Sequence, residues 1–447
     1  MLKELLTPEI KKLLELKDWR TLKEAFSEWA AQDIVDLFDS IDDSDKIVLF
    51  RLLPRDLAAE VFSELNPKEQ KSLLREMSNE HIKEIFLELS PDDRTYIFEE
   101  LPARATKRLL NLLPPEEKKV AMQLLGYSED SVGRLMTPDF VAIRPYWTVE
   151  QSIAHIRKFG KDAETVNIVF VVDEQWHLLD DVTLRKLILA NPAEKVENLM
   201  DRNFHSIPAS ADQEEAVNIM KKYNLIVLPV VDSRNVLLGV ITVDDVIDVY
   251  EKEVTEDIHK GASVIPVEVN YTTASVFSLF RKRIVWLMLL TLAGFLSGSV
   301  ISNFKEPLGK IIMLAFFIPV LIGTGGNTGT QSATLIIRAL ITGDLTPKKW
   351  FTVIKKELFV GLLLGIALGA VLCAWSYLWK REKMVSLVVG LAAMFIALWA
   401  NLVGSLLPII LRKLRLDPAI VSSPLISTIM DFSGLLIYFS LAMLLLL

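Results

Sequence analysis

Cysteine is almost missing from this sequence. Cys373 is the single one in 447 residues, and it lies in an apolar run. That excludes an intrachain disulfide and a cysteine-built metal centre. Histidine is scarce too: there are five, and none are paired at a metal-ligating spacing. No Walker-type phosphate loop and no nucleophile–base constellation can be read, so no enzyme is expected. The N-terminus, "MLKELLTPEIKKLLELKDW", has no apolar secretory core and reads as an amphipathic charged helix. The first part of the chain is therefore expected in the cytoplasm. Acidic residues, finally, are nearly missing from the last third. From residue 306 onward they are Glu306, Asp344, Glu357, Glu382, Asp417 and Asp431.

This last scarcity exposes a division. Residues 1–273 carry 51 Asp and Glu against 33 Lys and Arg, a net −18, whereas 274–447 carry six against 16, a net +10. A strongly acidic first part argues against nucleic acid and for cations or basic partners.

Residues 1–129 read as helix after helix, with apolar residues at three- and four-residue spacing in "RDLAAEVFSEL" and "EHIKEIFLEL". Helix-start signals fall at Pro54, Pro67, Ser78, Pro91, Pro102 and Pro115. "PKE", "PDD" and "PEE" align at a 24-residue period, which predicts a small solenoid of helical hairpins. From about residue 130 to 250 short β-branched strands alternate with helices, and the pattern occurs twice. The second copy has Pro229-Val230-Val231-Asp232, Leu238-Gly239 and Thr242-Val243-Asp244-Asp245. This resembles a tandem pair of CBS domains. The first copy departs at Asp180, where the pattern has Gly, and at Lys186, where Thr183-Leu184-Arg185-Lys186 should end in Asp. In the CBS pattern that Asp holds a nucleotide ribose, so the resemblance implies ATP as a partner, with this contact missing from the first copy. An acidic connecting segment, 251–280, leads into the part spanning 281–447.

That part has five apolar stretches, roughly 284–303, 311–340, 357–379, 384–411 and 419–447, each long enough to cross about 30 Å of hydrocarbon. Eleven basic residues would lie on one side of the membrane, among them Arg281, Lys348, Lys349 and Arg415. Five, among them Lys310 and Lys380, would lie on the other. This places the acidic part inside the cell and the C-terminus outside. Asp431 is the one deep acid, about 18 Å into the last stretch, with Ser423 and Ser427 on its helical face. Asn401 and Ser405 form a similar patch. The second stretch contains "GTGGNTGTQS", residues 323–332. A broken helix is expected there, with irregular backbone lining a path. The expected lining is Gly325, Gly326, Asn327, Thr328, Gln331, Asn401, Ser423 and Ser427.

"PVLIGTGGNTGTQSATLIIRAL" and "DPAIVSSPLISTIMDFSGLLIYFSLA" resemble the signature segments of the MgtE family of magnesium channels. The resemblance covers essentially the whole chain, including the domain order. It implies a multidomain protein: an all-α helical-repeat N-domain, an α/β tandem CBS pair, an acidic plug helix and a membrane domain of five transmembrane helices. It implies a homodimer in the cytoplasmic membrane whose Asp431 carboxylates bind hydrated Mg2+, closed by cytoplasmic Mg2+. The matching sensor positions are Asp212, Asp245, Asp248, Glu253, Glu256 and Asp257, with Glu60, Asp92 and Asp93 in the N-domain. Asn224 stands where an acid is expected. A Na+- or H+-coupled divalent cation transporter and a non-conducting membrane sensor are the alternatives.

Overall fold

The computed structural model describes the chain except residues 1, 39, 268–270, 272–273, 306–308, 310, 342–343, 346–349, 415 and 447. Glu306, Lys310, Lys348, Lys349 and Arg415, used above for charge and orientation, lie outside the described residues. The chain forms two compact units, Met1–Tyr250 and Glu251–Leu447.

The first unit opens with an array of short helices from Leu2–Glu15 to Pro115–Leu124. The expected starts recur as caps and first turns. Pro67, Pro91 and Pro115 each open a helix, and Pro54, Ser78 and Pro102 occupy the N-cap position of the others. Proline suits a first turn because its missing N–H would have no helical partner there. The repeat also shows in the core. Phe50, Phe62, Phe86 and Phe98 follow one another at spacings of 12, 24 and 12, with ring centroids 6.1, 5.9 and 5.5 Å apart.

Two three-stranded sheets follow. Strands β1 (Phe140–Ile143), β2 (Thr165–Val172) and β3 (Leu178–Thr183) repeat as β4 (Ile207–Pro208), β5 (Val227–Val231) and β6 (Leu237–Thr242). In each sheet the first pair is parallel and the second antiparallel. Apolar β-branched residues fill both: Val169, Val171 and Val182 in one, Val230, Val240 and Ile241 in the other. Main-chain bonds join the copies, with Thr137 and Val240 exchanging two of 2.9 Å. A Cβ on Gly239 would lie 2.6 Å from the Thr137 carbonyl, so this position must lack one. Asp180 occupies the same register position in the first copy, opposite Val171 as Gly239 is opposite Val230. It is fully buried, and its carboxylate accepts the N–H groups of Asp201 (2.8 Å) and Arg202 (3.0 Å). Asn224 has an equally local reason. It ends helix Gln213–Tyr223 at φ 52°, a left-handed conformation that Asn tolerates better than an acid with a longer side chain.

A single helix, Val243–Gly261, carries the acidic connecting segment; the expected boundary at 250/251 falls inside it. Its C-terminal end is held within the second unit. Lys260 Nζ lies 2.6 Å from Asp417 Oδ2 and also pairs with Glu256. Burial alone would pull the Lys260 ammonium down, but these two carboxylates hold its pKa above the usual lysine range. Ser263 and Ser422 hydroxyls are 2.5 Å apart.

Among the described residues the second unit has five long helices: first Val276–Asn303, second Met313–Ile341, third Trp350–Lys380, fourth Lys383–Lys413 and fifth Ser423–Leu446. All but the second are long and apolar enough to cross a membrane. The fourth is the most enclosed and packs on the second, third and fifth. The second helix corrects an expectation. It runs unbroken through 323–332. Gly325 and Gly329 serve close packing: a Cβ on Gly325 would lie 2.7 Å from Ile396, and one on Gly329 would lie 2.8 Å from Ile426. Thr324 bonds back to the Val320 carbonyl at 2.8 Å, so its hydroxyl is satisfied without opening the helix.

Candidate functional site

Two groups of carboxylates stand out, one in each unit. In the first unit, Asp92 and Asp93 open helix Pro91–Glu100, where unpaired amide groups favour acids. Asp92 is only 8 % exposed, and its Oδ1 has no hydrogen-bond partner among the described residues. Asp245 lies at the start of the connecting helix. Its Oδ2 accepts from the Thr242 hydroxyl (2.9 Å) and amide (3.3 Å). The sequence reading missed three members: Asp139, Glu164 and Asp244. Strand register carries the signal for the first two. Phe140 pairs with Thr165, so the preceding acids are neighbours, and the Glu164 N–H donates to the Asp139 carbonyl at 2.8 Å.

The electrostatics record this crowding. Burial, then the Asp92 charge, pushes the Asp245 carboxyl up to about 8. The same two causes push Asp93 up to about 6. Burial raises Asp92 as well, with Asp244 adding to it. At the rim, partial burial first and then neighbouring acids push Asp139 to about 6 and Glu164 to about 7. The acids do not converge on a point. Among the described residues no three Asp, Glu, His or Cys side chains could hold one metal ion directly.

The other sequence-predicted acids are placed differently. Asp212 caps helix Gln213–Tyr223 by accepting the Glu214 N–H at 2.9 Å. Glu60 is exposed on helix Arg55–Glu64, and it is Glu64, one turn on, whose charge acts on Asp93. Asp248, Glu253, Glu256 and Asp257 lie further along the connecting helix, and Glu256 is engaged with Lys260. Lys186 lies 3.8 Å from Asp201, not beside a pocket carboxylate.

In the second unit Asp431 is half-buried on the fifth helix, and no described residue donates a hydrogen bond or a cation to it. The helix begins at Ser423, after a short 3-10 turn at Pro418–Ile420, and not at 419. Asp431 therefore lies about 12 Å along it, nearer the helix start than expected. Ser423, Ser427 and Asp431 share one face at four-residue spacing. The second helix borders this stripe: Thr330 Oγ lies 3.3 Å from Ser423 Oγ, and Gly326 packs on Ser427. Asn327 and Gln331 are exposed, whereas Gly325, Gly326 and Thr328 are buried against neighbouring helices.

Asn401, expected beside a path, turns inward and is 3 % exposed. Its side-chain amide donates to the Glu357 carboxylate and main-chain carbonyl, both at 2.7 Å. Ser332 Oγ is 3.0 Å from the same carboxylate. Asp431 is thus not the only acid among these helices. Glu357, the eighth residue of the third helix, was missed because it stands at the edge of an apolar run.

Models of three families match the chain. That of the MgtE intracellular N domain matches residues 29–130, that of CBS domains 132–192 and 196–252, and that of MgtE divalent cation transporters 318–441. The magnesium transporter MgtE of Thermus thermophilus is 42 % identical over 448 residues, covering all of this chain and 99 % of its own. The magnesium transporter MgtE of Bacillus subtilis is 36 % identical over 326 residues, 73 % of this chain and 72 % of its own. A crystal structure of the cytosolic domain of the Mg2+ channel MgtE in complex with ATP superposes with a TM-score of 0.53 at 37 % identity. It covers 55 % of this chain and all of that one. The soluble part of a magnesium transporter gives 0.53 at 26 % identity, covering 56 % of this chain and 99 % of that one. Motif, fold and full-length similarity agree, and the chain belongs to the MgtE family of divalent cation transporters.

Proposed function

We propose that this protein is a Mg2+ channel that imports magnesium across the cytoplasmic membrane and closes when cytoplasmic Mg2+ binds its acidic first unit. The observation that carries the reading is the Asp431 stripe. A carboxylate within a membrane helix costs about 2.5–3.5 kcal/mol or more unless a cation, a proton or water meets it. Hydroxyls of Ser423 and Ser427 precede it on one face, and among the described residues no cation pairs with it. Mg2+ sheds water reluctantly and takes oxygen ligands. A carboxylate with hydroxyls one and two turns away suits a hydrated ion held loosely enough to leave. Neither His nor thiolate is at hand to favour a softer metal.

Two copies related by a two-fold axis would bring two Asp431 side chains, −2 against +2, to one path. The homodimer belongs to this proposal, as does the orientation with the first unit inside the cell and the C-terminus outside.

Closure would use the first unit. Asp92, Asp93 and Asp245, with Asp139, Asp244 and Glu164 beside them, crowd negative charge where part of it is desolvated. A divalent ion lowers that repulsion, and the state that holds it is favoured by its differential affinity. Hard oxygen donors and an unpartnered Asp92 oxygen fit Mg2+; acids that do not converge fit an ion keeping its waters. Asp212, Asp248, Glu253, Glu256, Asp257 and Glu60 would add weaker binding through water. ATP at the CBS pair would use the second copy, where Asp245 keeps the ribose-binding position.

The test is uptake by a Mg2+-requiring cell. Asp431→Asn should abolish rescue while the protein still inserts; normal rescue would remove the carboxylate from the path. Flux persisting without a Na+ or H+ gradient separates a channel from a coupled transporter.

A further inference from the structure

We propose that the crevice between the connecting helix and the first long helix binds one anionic phospholipid by its headgroup. A cavity of about 360 Å³ lies there. Thr255 and His259 of the connecting helix, Val264 and Tyr271 of the segment after it, and Leu279 and Arg283 of the first long helix line it. Its size is that of a small-ligand site.

The chemistry of the lining is amphipathic. Three basic residues stand together at 281–283, and they are not equivalent. Lys282 turns inward and bonds the Pro266 carbonyl. Arg281 and Arg283 are exposed and meet no carboxylate among the described residues. His259 Nδ1 faces the Val267 N–H at 3.3 Å, which leaves Nε2 to carry the ring proton as a donor. A guanidinium, an imidazole N–H and a phenol thus sit beside Val264 and Leu279. Phe277 and Phe280 are exposed close by. One cationic donor, Arg283, and two neutral donors against an apolar wall match a phosphodiester with acyl chains attached. A free phosphate would leave the apolar part unused.

Position agrees with chemistry. Arg283 lies seven residues after Val276, about 11 Å into the helix. Beyond it an uninterrupted uncharged run reaches Asn303. Arg283 therefore falls where hydrocarbon gives way to headgroups, and basic residues there attract anionic lipid. The inference rests on the reading that Val276–Asn303 spans the membrane.

Native mass spectrometry of the full chain from lipid discs of phosphatidylglycerol and phosphatidylcholine in equal parts tests it. The wild type should retain phosphatidylglycerol about fivefold over phosphatidylcholine, the preference expected of one basic residue at a headgroup. Arg283→Gln should bring the ratio to near one. Thr255→Trp, an exposed position that fills the cavity without touching charge, should lower retention independently. Arg381→Gln, a basic residue in another part of the unit, should leave the ratio unchanged. Failure of the wild type to insert into discs would count against the membrane reading; insertion without preference would overturn the lipid site alone. Equal retention by wild type and both cavity variants would also overturn it. So would displacement of the lipid by inorganic phosphate, which would make the ligand a free anion. A two-chain mass that carries no lipid would overturn it as well.

Discussion

Crowded, partly buried acids should make the first unit lose stability as pH rises, and the loss can be sized. The carboxyls of Asp93 and Asp245 lie well above their ordinary 3.8, at about 6 and about 8. Between the unfolded and folded values the folded unit binds more protons than the unfolded one. Stability is then fully present below about pH 4 and falls as pH rises through the folded values. Each unit of difference is about 1.4 kcal/mol. From pH 5 to 8, Asp93 contributes about one unit and Asp245 about three. Because both feel Asp92, the two do not simply add, and a loss on the order of several kcal/mol is expected. Urea unfolding of residues 1–250 at pH 5 and pH 8, without divalent ions, measures it. Asp92→Asn removes the shared repulsion but leaves burial, the larger cause, in place, so it should recover part of the loss. Millimolar Mg2+ should recover stability at pH 8 more than monovalent salt of equal ionic strength does. A flat profile from pH 5 to 8, or an Asp92→Asn variant as pH-dependent as wild type, would refute the reasoning.

Four further outcomes are expected. Neutralising Asp245, Asp248, Glu253 and Asp257 together should shift channel closure, read by patch clamp, to higher cytoplasmic Mg2+, because fewer ions then favour the closed state. Glu357→Ala removes the carboxylate that accepts from the Asn401 amide and the Ser332 hydroxyl, leaving only the main-chain acceptor for Asn401, and should cost about 1–3 kcal/mol, seen as a lower melting temperature in detergent, whereas Glu357→Gln should cost less. Asp180→Gly removes a buried carboxylate that accepts the Asp201 and Arg202 N–H groups and should destabilise the first unit by about 1 kcal/mol in urea titrations. Calorimetry of the first unit should find no more than one ATP site, and Lys186→Asp should not create another, because the Asp201 and Arg202 amides already hold the neighbouring loop on Asp180.

Legibility differed between the two sites for a physical reason. Helix starts in the N-terminal array were readable because proline and acids have strong local preferences there, and each start is a property of two or three adjacent residues. Asp431 was readable because a lone charge in an apolar run has no ordinary explanation. Asp139 and Glu164 were not readable, since what joins them is the pairing of β1 with β2, a contact between residues 25 apart. Glu357 was hidden in the same way: its partners are on two other helices. The second helix misled for a different reason. Glycine and threonine lower helix propensity in water, but between packed helices the missing Cβ of Gly325 and Gly329 gains close contact with Ile396 and Ile426. Propensity predicted a break where packing keeps the helix whole.

The file of phenylalanines through the N-terminal array has a mechanical consequence. Phe50, Phe62, Phe86 and Phe98 follow one another in ring contact within one apolar core that runs from Ile10 to Ala121, so neighbouring helices are coupled through it. A body built this way bends like a leaf spring. A push at one end is shared as small rotations over several ring contacts, and no one joint takes it all. Substituting one ring for a smaller side chain would soften the spring locally and leave the helices on either side folded.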